Sequence, residues 1–297
     1  MAASKFDFFG GGNMASCAEA IVKGNKGEDD LRNIVAPAYE IVYDINEVKA
    51  NSEKPYYLIN PPHTCWTTCK DNCEGVDLAQ ILAKSIDVLS TNEKGFYIML
   101  ECGRIDHAGH ANDAAFTARE VSELDQALAV ALDFQKKYPE ETLIIVTADH
   151  ETGGLQIDDM EKLKANAPIL LKQKGTIASG SAYVDSLINQ KMKSEDIYKA
   201  ICSYIGYDGF SAEEKAKLIA QIATNYDDKA QSIKGSQIFK QAVKYRDAFL
   251  GLRYTTGGHS AAKILTNVTG PGWENFKRED LENSSLKALI EQSMGLN

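Results

Sequence analysis

The sequence predicts an α/β protein in which a mostly parallel sheet is flanked by helices and interrupted by a helical insertion. Short apolar runs alternate with amphipathic stretches over the first 155 of the 297 residues, the pattern of alternating strands and helices. Residues 156–250 are instead rich in Lys, Gln, Ala and Ile at helical spacing, and residues 251–297 return to Gly-rich, β-prone sequence. We therefore predict an α/β core over 1–155, a helical insertion over 156–250, and a return to the core over 251–297.

The first elements of the core are marked by local signals. Tyr56–Ile59 form a short strand-like run. Asp77, with Gln80 three residues later, has the pattern of a capping box and predicts a helix over about 77–90. Phe96–Leu100 are continuously apolar and aromatic, which is typical of a strand buried on both faces.

A long helix and a second apolar strand follow. The helix is predicted from Ala114 to Phe134, and Leu143–Val146 form the strand. The apolar positions predicted for the inner face of the helix are Val121, Leu124, Leu128 and Ala131. The order helix, strand, helix, strand predicts that the two apolar strands lie in one parallel sheet.

Helical signals also mark the insertion and the end of the chain. Ser211 and Glu214 have the spacing of a capping box at the start of one helix. The inner face of another helix is predicted at Ile238, Phe239, Ala242 and Val243, and a last helix is predicted over about 280–293.

Composition excludes some classes of partner. The formal net charge is -10 and the pI is near 5.1, so a nucleic acid is not expected as the main partner. No apolar run approaches the roughly 20 residues that cross a bilayer, and the first residues lack the basic-then-apolar order of a signal peptide. We predict no membrane span.

Two further groups of residues are set aside. Cys65, Cys69 and Cys73 lie close together, but their spacing matches no common zinc pattern. An ordinary loop or helix turn, a disulfide and a metal site remain open for them. His63 follows two prolines, and we interpret it as a loop histidine without a role.

Chemically active side chains follow both apolar strands of the core. Glu101 comes directly after the first, and Asp149 and His150 come after the second. Because ligands of open parallel sheets bind outside the carboxyl ends of the strands, we expect Glu101 and Asp149 to point into the same crevice.

Two more segments extend this group. Asp106 and His110 are four residues apart, which places them on one face of a helix, and His259 follows two glycines where the backbone can bend. Taken alone, Asp106 and His110 are more often a solvated helix face, and Asp149 and His150 more often cap the following turn. Their joint arrival at strand ends, with Gly-Gly-His afterwards, favours metal binding. Asp and His donors without cysteine suit zinc, manganese or cobalt, and a lone glutamate suits magnesium.

At these residues the sequence resembles the alkaline phosphatase family. The likeness rests on GFYIMLECGRIDHAGHANDAA, TLIIVTADHETGG, TTGGHSA and GPGWENF, in the family's order, together with KFDFFGGGN near the start. It covers residues 1–155 and 251–297, and the helical insertion lies outside it. The resemblance implies an alkaline-phosphatase-like fold and hydrolysis of phosphate monoesters through a phosphoserine.

The resemblance also implies a role for each matching residue. Asp106, His110 and His259 would hold one zinc. Asp149 and His150 would hold a second zinc whose ligand set is incomplete here, and Glu101 would belong to an incomplete magnesium site. His107 stands where family members carry a side chain that tunes the magnesium site or meets phosphate through water, and Cys102 replaces the usual glycine.

Other parts of the family's site have no counterpart in this sequence. The family's nucleophilic serine lies in an Asp-Ser-Ala type segment, and none occurs here. The serine before alanine in SGSAYVDS, residues 179–186, stands in the insertion, and we reject it. The phosphate-binding arginine, an aspartate that bridges zinc and magnesium, and a hydroxyl ligand of magnesium are missing with it. We therefore expect the chain to correspond to the C-terminal portion of the family fold, truncated at its N-terminus.

Several functional alternatives stay open at this point. The chain can be the metal-binding part of a phosphomonoesterase that is inactive or very weak alone, a stand-alone metal-binding or interaction module, or a relative that acts as a phosphodiesterase or phosphomutase. The insertion can cover the site or form a homodimer contact. By resemblance the protein is periplasmic or extracellular, although the sequence shows no signal peptide.

Overall fold

The computed structural model describes residues 5–11, 33, 35–50, 52, 54–59, 76–226 and 233–296. His63 and Cys65, Cys69 and Cys73 lie outside the described residues. The chain forms two compact units. The first comprises residues 1–102, 122–149 and 265–297, and the second comprises residues 103–121 and 150–264.

The described strands and helices are labelled in chain order. The strands are β1 Phe8–Gly11, β2 Glu40–Val42, β3 Tyr56–Ile59, β4 Ile144–Val146, β5 Glu151–Thr152, β6 Gln156–Ile157, β7 Leu252–Arg253, β8 His259–Ser260 and β9 Asn267–Thr269. The helices are α1 Leu78–Leu89, α2 Arg104–Ala111, α3 Ala114–Lys137, α4 Met160–Asn166, α5 Pro168–Leu171, α6 Ile177–Asn189, α7 Ser194–Ile205, α8 Ala212–Ala223, α9 Gly235–Phe249 and α10 Leu286–Ser293. Short 3-10 helices lie at Ile45–Glu47, Thr224–Tyr226, Trp273–Phe276 and Asn283–Ser285.

The first unit contains a parallel three-stranded sheet in the order β1–β3–β2. Helix α1 packs on this sheet through Ile81, which joins a buried cluster with Leu58 of β3. Its neighbours Leu78 and Leu82 pack against Ala127 of α3. The predicted capping box at Asp77 and Gln80 is present and begins α1.

The predicted pairing of the two apolar strands is wrong among the described residues. Strand β4 pairs with β9 in antiparallel fashion, and Phe96–Leu100 are not hydrogen-bonded into any described sheet. Three small described sheets are antiparallel, β4–β9, β5–β8 and β6–β7, so the sheet structure is not mostly parallel. The α/β class itself is confirmed, although the described strands are only two to four residues long.

Phe96–Leu100 are also not buried on both faces. Phe96 stacks edge-on against Phe134 of α3, and Ile98 and Leu100 pack beside Leu82. Tyr97 and Met99 are 52% and 77% exposed. The continuous apolar run predicts two buried faces, whereas in the structure Phe96, Ile98 and Leu100 are the residues of this run that pack on described neighbours.

The long predicted helix is present as α3, but the residues buried on its inner face are not all those predicted. Val121 is 48% exposed, whereas Ala127 is fully buried and Glu123 is 8% exposed. A carboxylate oxygen of Glu123 accepts a hydrogen bond from the backbone N–H of Leu78 at 3.1 Å. The backbone N–H of Leu78, in the first turn of α1, therefore has a polar partner on the buried face of α3. Hydrophobic spacing alone does not predict such a partner.

The second unit carries the predicted helical region in α4 to α9. Its core is built from Ile177, Val184, Leu187, Ile197, Tyr198, Ile201, Cys202, Ile205, Tyr207, Leu218, Ile222, Ile238, Phe239, Ala242 and Val243. The capping box of Ser211 and Glu214 begins α8 as predicted. The predicted inner face of α9 is buried. At the end of the chain the α-helix begins later than predicted, after the 3-10 turn Asn283–Ser285.

Among the described residues, no helix combines the length and the apolar character that crossing a bilayer requires.

Candidate metal centre

Helix α2 presents the first two predicted ligands, Asp106 and His110, from one face. The helix ends at Asn112, which adopts a left-handed conformation with φ 57° and donates its backbone N–H to Ala108 and Gly109. Asparagine is among the few residues that accept this conformation at low cost. The helix therefore stops one turn after Asp106, directly behind His110.

The third predicted ligand, His259, comes from the two-stranded sheet β5–β8. Its cross-strand partner in the antiparallel register is Thr152. Gly153 follows with φ +91°, and a Cβ there would lie 2.7 Å from the ring of Tyr254. Its N–H donates to the carbonyl of Gly258 at 2.9 Å. Glycine is required at this turn, and the turn places His259 beside α2.

The three side chains converge on one point. The Nε2 atoms of His110 and His259 are 3.2 Å apart. Oδ1 of Asp106 lies 3.4 Å from Nε2 of His110 and 3.7 Å from Nε2 of His259. Each side chain is between 36% and 49% exposed, so the cluster is open on one side. It is the described group whose donor atoms are close enough to share a metal ion.

A backbone contact orients His110. Its Nδ1 lies 2.7 Å from the carbonyl oxygen of Gly257, which can only accept a hydrogen bond. Nδ1 therefore carries a proton, and Nε2 keeps a lone pair directed at the other two ligands. This arrangement, a carbonyl behind a metal-binding imidazole, fixes both tautomer and ring orientation.

The donor set fits zinc. Zinc binds imidazole nitrogen and carboxylate oxygen at roughly 2.0–2.2 Å in tetrahedral geometry, so neighbouring ligand atoms should be about 3.3–3.6 Å apart. The separations of 3.2, 3.4 and 3.7 Å match that spacing. Three protein donors with one open side are typical of a catalytic rather than a structural zinc.

His150 lies against this cluster within the same unit. Its ring stacks on that of His259 with centroids 3.5 Å apart, and its Nδ1 lies 3.1 Å from Oγ1 of Thr152. The same hydroxyl donates to Oδ1 of Asp106 at 2.6 Å. The structure thus brings four of the six predicted metal ligands, Asp106, His110, His150 and His259, into one contact group.

The remaining predicted residues are placed differently. Asp149 and Glu101 belong to the other unit and are exposed, and their metal-binding roles stay predictions. His107 is exposed on α2, with its Nδ1 3.5 Å from Nη1 of Arg104; its role near substrate also stays a prediction. The rejected serine of the insertion, Ser181, is buried in α6 and donates to the carbonyl of Ile177 at 2.6 Å.

Sequence reasoning missed Thr152 and Gly109. Thr152 lies two residues after His150 in an extended segment, and that spacing puts both side chains on the same side, a signal that was available. Gly109 touches the backbone of Thr152, so closely that an added Cβ would lie 2.8 Å from its carbonyl oxygen. No local pattern in the sequence reveals that contact.

The protein has an α/β fold, and the donor atoms of Asp106, His110 and His259 lie close enough together to share a metal ion. A family model described as alkaline phosphatase matches residues 7–288, so the chain belongs to the alkaline phosphatase family. It is 29% identical over 200 residues to alkaline phosphatase 4 of Bacillus subtilis, covering 67% of this chain and 40% of that protein. Against the alkaline phosphatase of Escherichia coli K12, identity is 33% over 167 residues, covering 47% of this chain and 35% of that protein.

Solved structures show the same fold. The cold-active alkaline phosphatase of a psychrophilic Shewanella superposes with a TM-score of 0.72 at 23% identity, covering 98% of this chain and 65% of that one. The Thermus thermophilus alkaline phosphatase gives a TM-score of 0.69 at 21% identity, covering 98% and 63%. The chain therefore spans well under half the length of the two curated relatives above, and less than two thirds of the solved chains.

Proposed function

We propose that this chain provides the metal-binding part of a zinc- and magnesium-dependent phosphate monoester hydrolase. Asp106, His110 and His259 hold one zinc. Asp149 and His150 hold a second zinc, and Glu101 belongs to the magnesium site. The observation that carries the proposal is the convergence of three donor atoms at zinc-like spacing, in a chain of the alkaline phosphatase family.

Bound metal ions of this kind neutralise phosphate oxygens and lower the pKa of bound water toward about 7. The chain's own residues prepare that chemistry. Gly257 holds His110 so that its Nε2 lone pair faces the cluster, and the carboxylate of Asp106 would offset one of the two positive charges of a zinc ion. The partial exposure of the three ligands leaves a side on which a small phosphate ester can approach.

The sequence contains no Asp-Ser-Ala segment. We infer that the serine nucleophile and the phosphate-binding arginine are supplied by residues outside this sequence, and that the chain alone turns over phosphate esters weakly or not at all. By family membership we also place the protein in the periplasm or outside the cell. A homodimer belongs to the same proposal, and its mass in solution tests it.

Zinc binding tests the metal part of the proposal. We expect the purified chain to retain about one tightly bound zinc after dialysis, measured by atomic emission, because three donors are already in place. His110→Ala should lose that zinc. His107→Ala is the matched control, since it removes an exposed imidazole from the same helix, and it should keep the metal. A chain without zinc, or equal loss in both variants, contradicts the proposed site.

Hydrolysis is tested with a fusion. We expect the chain alone to release little nitrophenol from para-nitrophenyl phosphate. Joined to the part of the Bacillus subtilis relative that lies outside the matched region, it should become active, and His110→Ala in the fusion should abolish that activity. Robust zinc-dependent turnover by the chain alone would show that it holds its own nucleophile. An inactive, folded and zinc-loaded fusion would favour a metal-binding module without hydrolytic role.

A further inference from the structure

Thr152 contacts two predicted ligands at once. Its Oγ1 lies 2.6 Å from Oδ1 of Asp106 and 3.1 Å from Nδ1 of His150. The two partners come from different elements, since Asp106 lies in α2 and His150 directly precedes β5. One hydroxyl therefore joins a ligand of the first predicted zinc to a ligand of the second.

The direction of both hydrogen bonds follows from the chemistry of the groups. An ionised carboxylate can only accept, so the single hydroxyl proton of Thr152 goes to Asp106. The hydroxyl oxygen then presents a lone pair to His150, and the ring must donate from Nδ1. In the neutral imidazole this leaves the lone pair on Nε2, which is the form that binds a metal.

The surrounding backbone holds Thr152 in place. Gly109 has no side chain, and this lets α2 come close to Thr152. A Cβ added at Gly109 would lie 2.8 Å from the carbonyl oxygen of Thr152 and 3.1 Å from its Cγ2. The preceding residue, Glu151, accepts a hydrogen bond from the N–H of Gly154 at 3.0 Å and one from the hydroxyl of Ser260. These contacts hold the backbone of β5 in place on both sides of Thr152.

We propose that Thr152 is a positioning residue that orients Asp106 and sets the tautomer of His150, so that both zinc sites are prepared by one hydroxyl group. The inference rests on the proposed function in so far as Asp106 and His150 are zinc ligands. The hydrogen bonds themselves do not depend on it.

Three substitutions separate the hydroxyl from the shape of the side chain. Thr152→Val keeps the shape and removes the hydroxyl. Thr152→Ser keeps the hydroxyl and should behave as the unmodified chain. Thr224→Val is the matched control, because that hydroxyl donates to the carbonyl of Gln221 at 2.7 Å within the helical region and touches none of the ligands.

The first readout is the tautomer of His150 in the metal-free chain. Long-range proton–nitrogen correlation spectra at alkaline pH distinguish Nδ1–H from Nε2–H, and the signal of His150 is the one absent from His150→Gln among five histidines. We expect Nδ1–H in the unmodified chain, in Thr152→Ser and in Thr224→Val. We expect Thr152→Val to shift His150 toward Nε2–H.

The second readout is zinc affinity, measured by competition with a chromogenic chelator. Loss of such an outer hydrogen bond typically weakens metal binding by about 10- to 100-fold, so Thr152→Val should bind zinc at least roughly tenfold more weakly and Thr152→Ser should restore it. Nε2–H in the unmodified chain, or unchanged spectra and affinity in Thr152→Val, would overturn the inference. If the unmodified chain shows Nδ1–H but binds no zinc, the proposed function fails while the hydrogen-bond assignment stands.

Discussion

Gly109 is the residue at which the ligand helix α2 touches strand β5. An added Cβ would lie 2.8 Å from the carbonyl oxygen and 3.0 Å from Cβ of Thr152. Backbone atoms cannot rotate away as a flexible side chain can, so the helix that carries Asp106 and His110 would have to move. The contact between Gly109 and Thr152 limits how closely α2 packs against β5. It therefore also sets the distance from the predicted ligands on α2 to the predicted ligand His259, the cross-strand partner of Thr152.

Gly109→Ala should therefore destabilise the protein and weaken zinc binding. Alanine in a helix gains about 0.5–1 kcal/mol over glycine, but overpacking of this kind costs about 1–3 kcal/mol. We expect a net loss of about 1–2 kcal/mol in the free energy of unfolding, measured by urea denaturation.

Gly258→Ala is the control for this change. Its added Cβ would meet only Oγ1 of Thr256 at an ordinary 3.7 Å, so its effect should stay within about 0.5 kcal/mol. A Gly109→Ala variant with unchanged stability and zinc content would show that α2 can shift freely.

At the scale of elements, a buried polar network ties the start of α3 to the helical region. Arg246 of α9 is fully buried and donates to Oδ1 of Asp247 at 2.7 Å and to Oε1 of Gln173. Gln173 donates in turn to Oδ1 of Asp113 at 3.0 Å, and Asp113 also accepts from the N–H of Ile177 at 2.9 Å. Asp113 stands three residues after His110, so the network anchors the end of the ligand helix.

Burial changes the titration of both carboxyls in this network. It raises the pKa of Asp113, and it raises the pKa of Asp247 to about 6 although Arg246 opposes the shift. A carboxyl whose pKa is higher in the folded than in the unfolded chain contributes stability that is present below the unfolded pKa of about 3.9 and is lost as the pH rises through about 6.

Arg246→Leu should be strongly destabilising at pH 8, because it removes the cation that pairs with the buried carboxylate of Asp247. Removal of one partner of a buried ion pair lowers the free energy of unfolding by about 3–5 kcal/mol. Part of the loss should be recovered at pH 5, where Asp247 takes up a proton, and urea denaturation at the two pH values measures the difference.

Arg253→Leu is the matched control. It removes an arginine whose ion pair with Asp158, at 2.7 Å, is about half exposed, so it should cost under about 1 kcal/mol at either pH. Equal effects of the two substitutions would contradict the importance of the buried network.

At the scale of the whole molecule, the described neighbours of Phe96–Leu100 lie on one face of the segment. Phe96, Ile98 and Leu100 pack toward α3 and α1, while Met99 is 77% exposed. Within the part of the chain that the structure describes, no backbone hydrogen bond reaches these residues. The chain covers 65% of the Shewanella enzyme, and we expect this segment to gain strand neighbours in the fusion with the longer relative.

Hydrogen exchange followed by mass spectrometry tests that expectation. Amides without hydrogen-bond partners exchange quickly, so peptides covering 96–100 should exchange within seconds in the chain alone. Peptides from the middle of α3 serve as the internal control and should be protected. In the fusion with the relative's segment, 96–100 should become protected; slow exchange in the chain alone would show that the segment already has partners.

Local signals in the sequence determined much of what is seen. The capping boxes at Asp77 and Ser211, the buried face of α9, and the helix that presents Asp106 and His110 were predictable because each depends on residues within one or two turns. The family membership was predictable for the same reason, since its motifs are short and contiguous.

Contacts between distant residues were decided only by the tertiary structure. The antiparallel partner of β4, the exposure of Met99, the approach of Gly109 to Thr152 and the burial of Arg246 all depend on segments that are far apart in sequence. The hydrophobic periodicity of a sequence indicates which face of a helix or strand is apolar, but not which residues pack against that face. The sequence by itself therefore predicted which residues bind metal, and the tertiary structure determined which of those residues meet and that the hydroxyl of Thr152 contacts two of them.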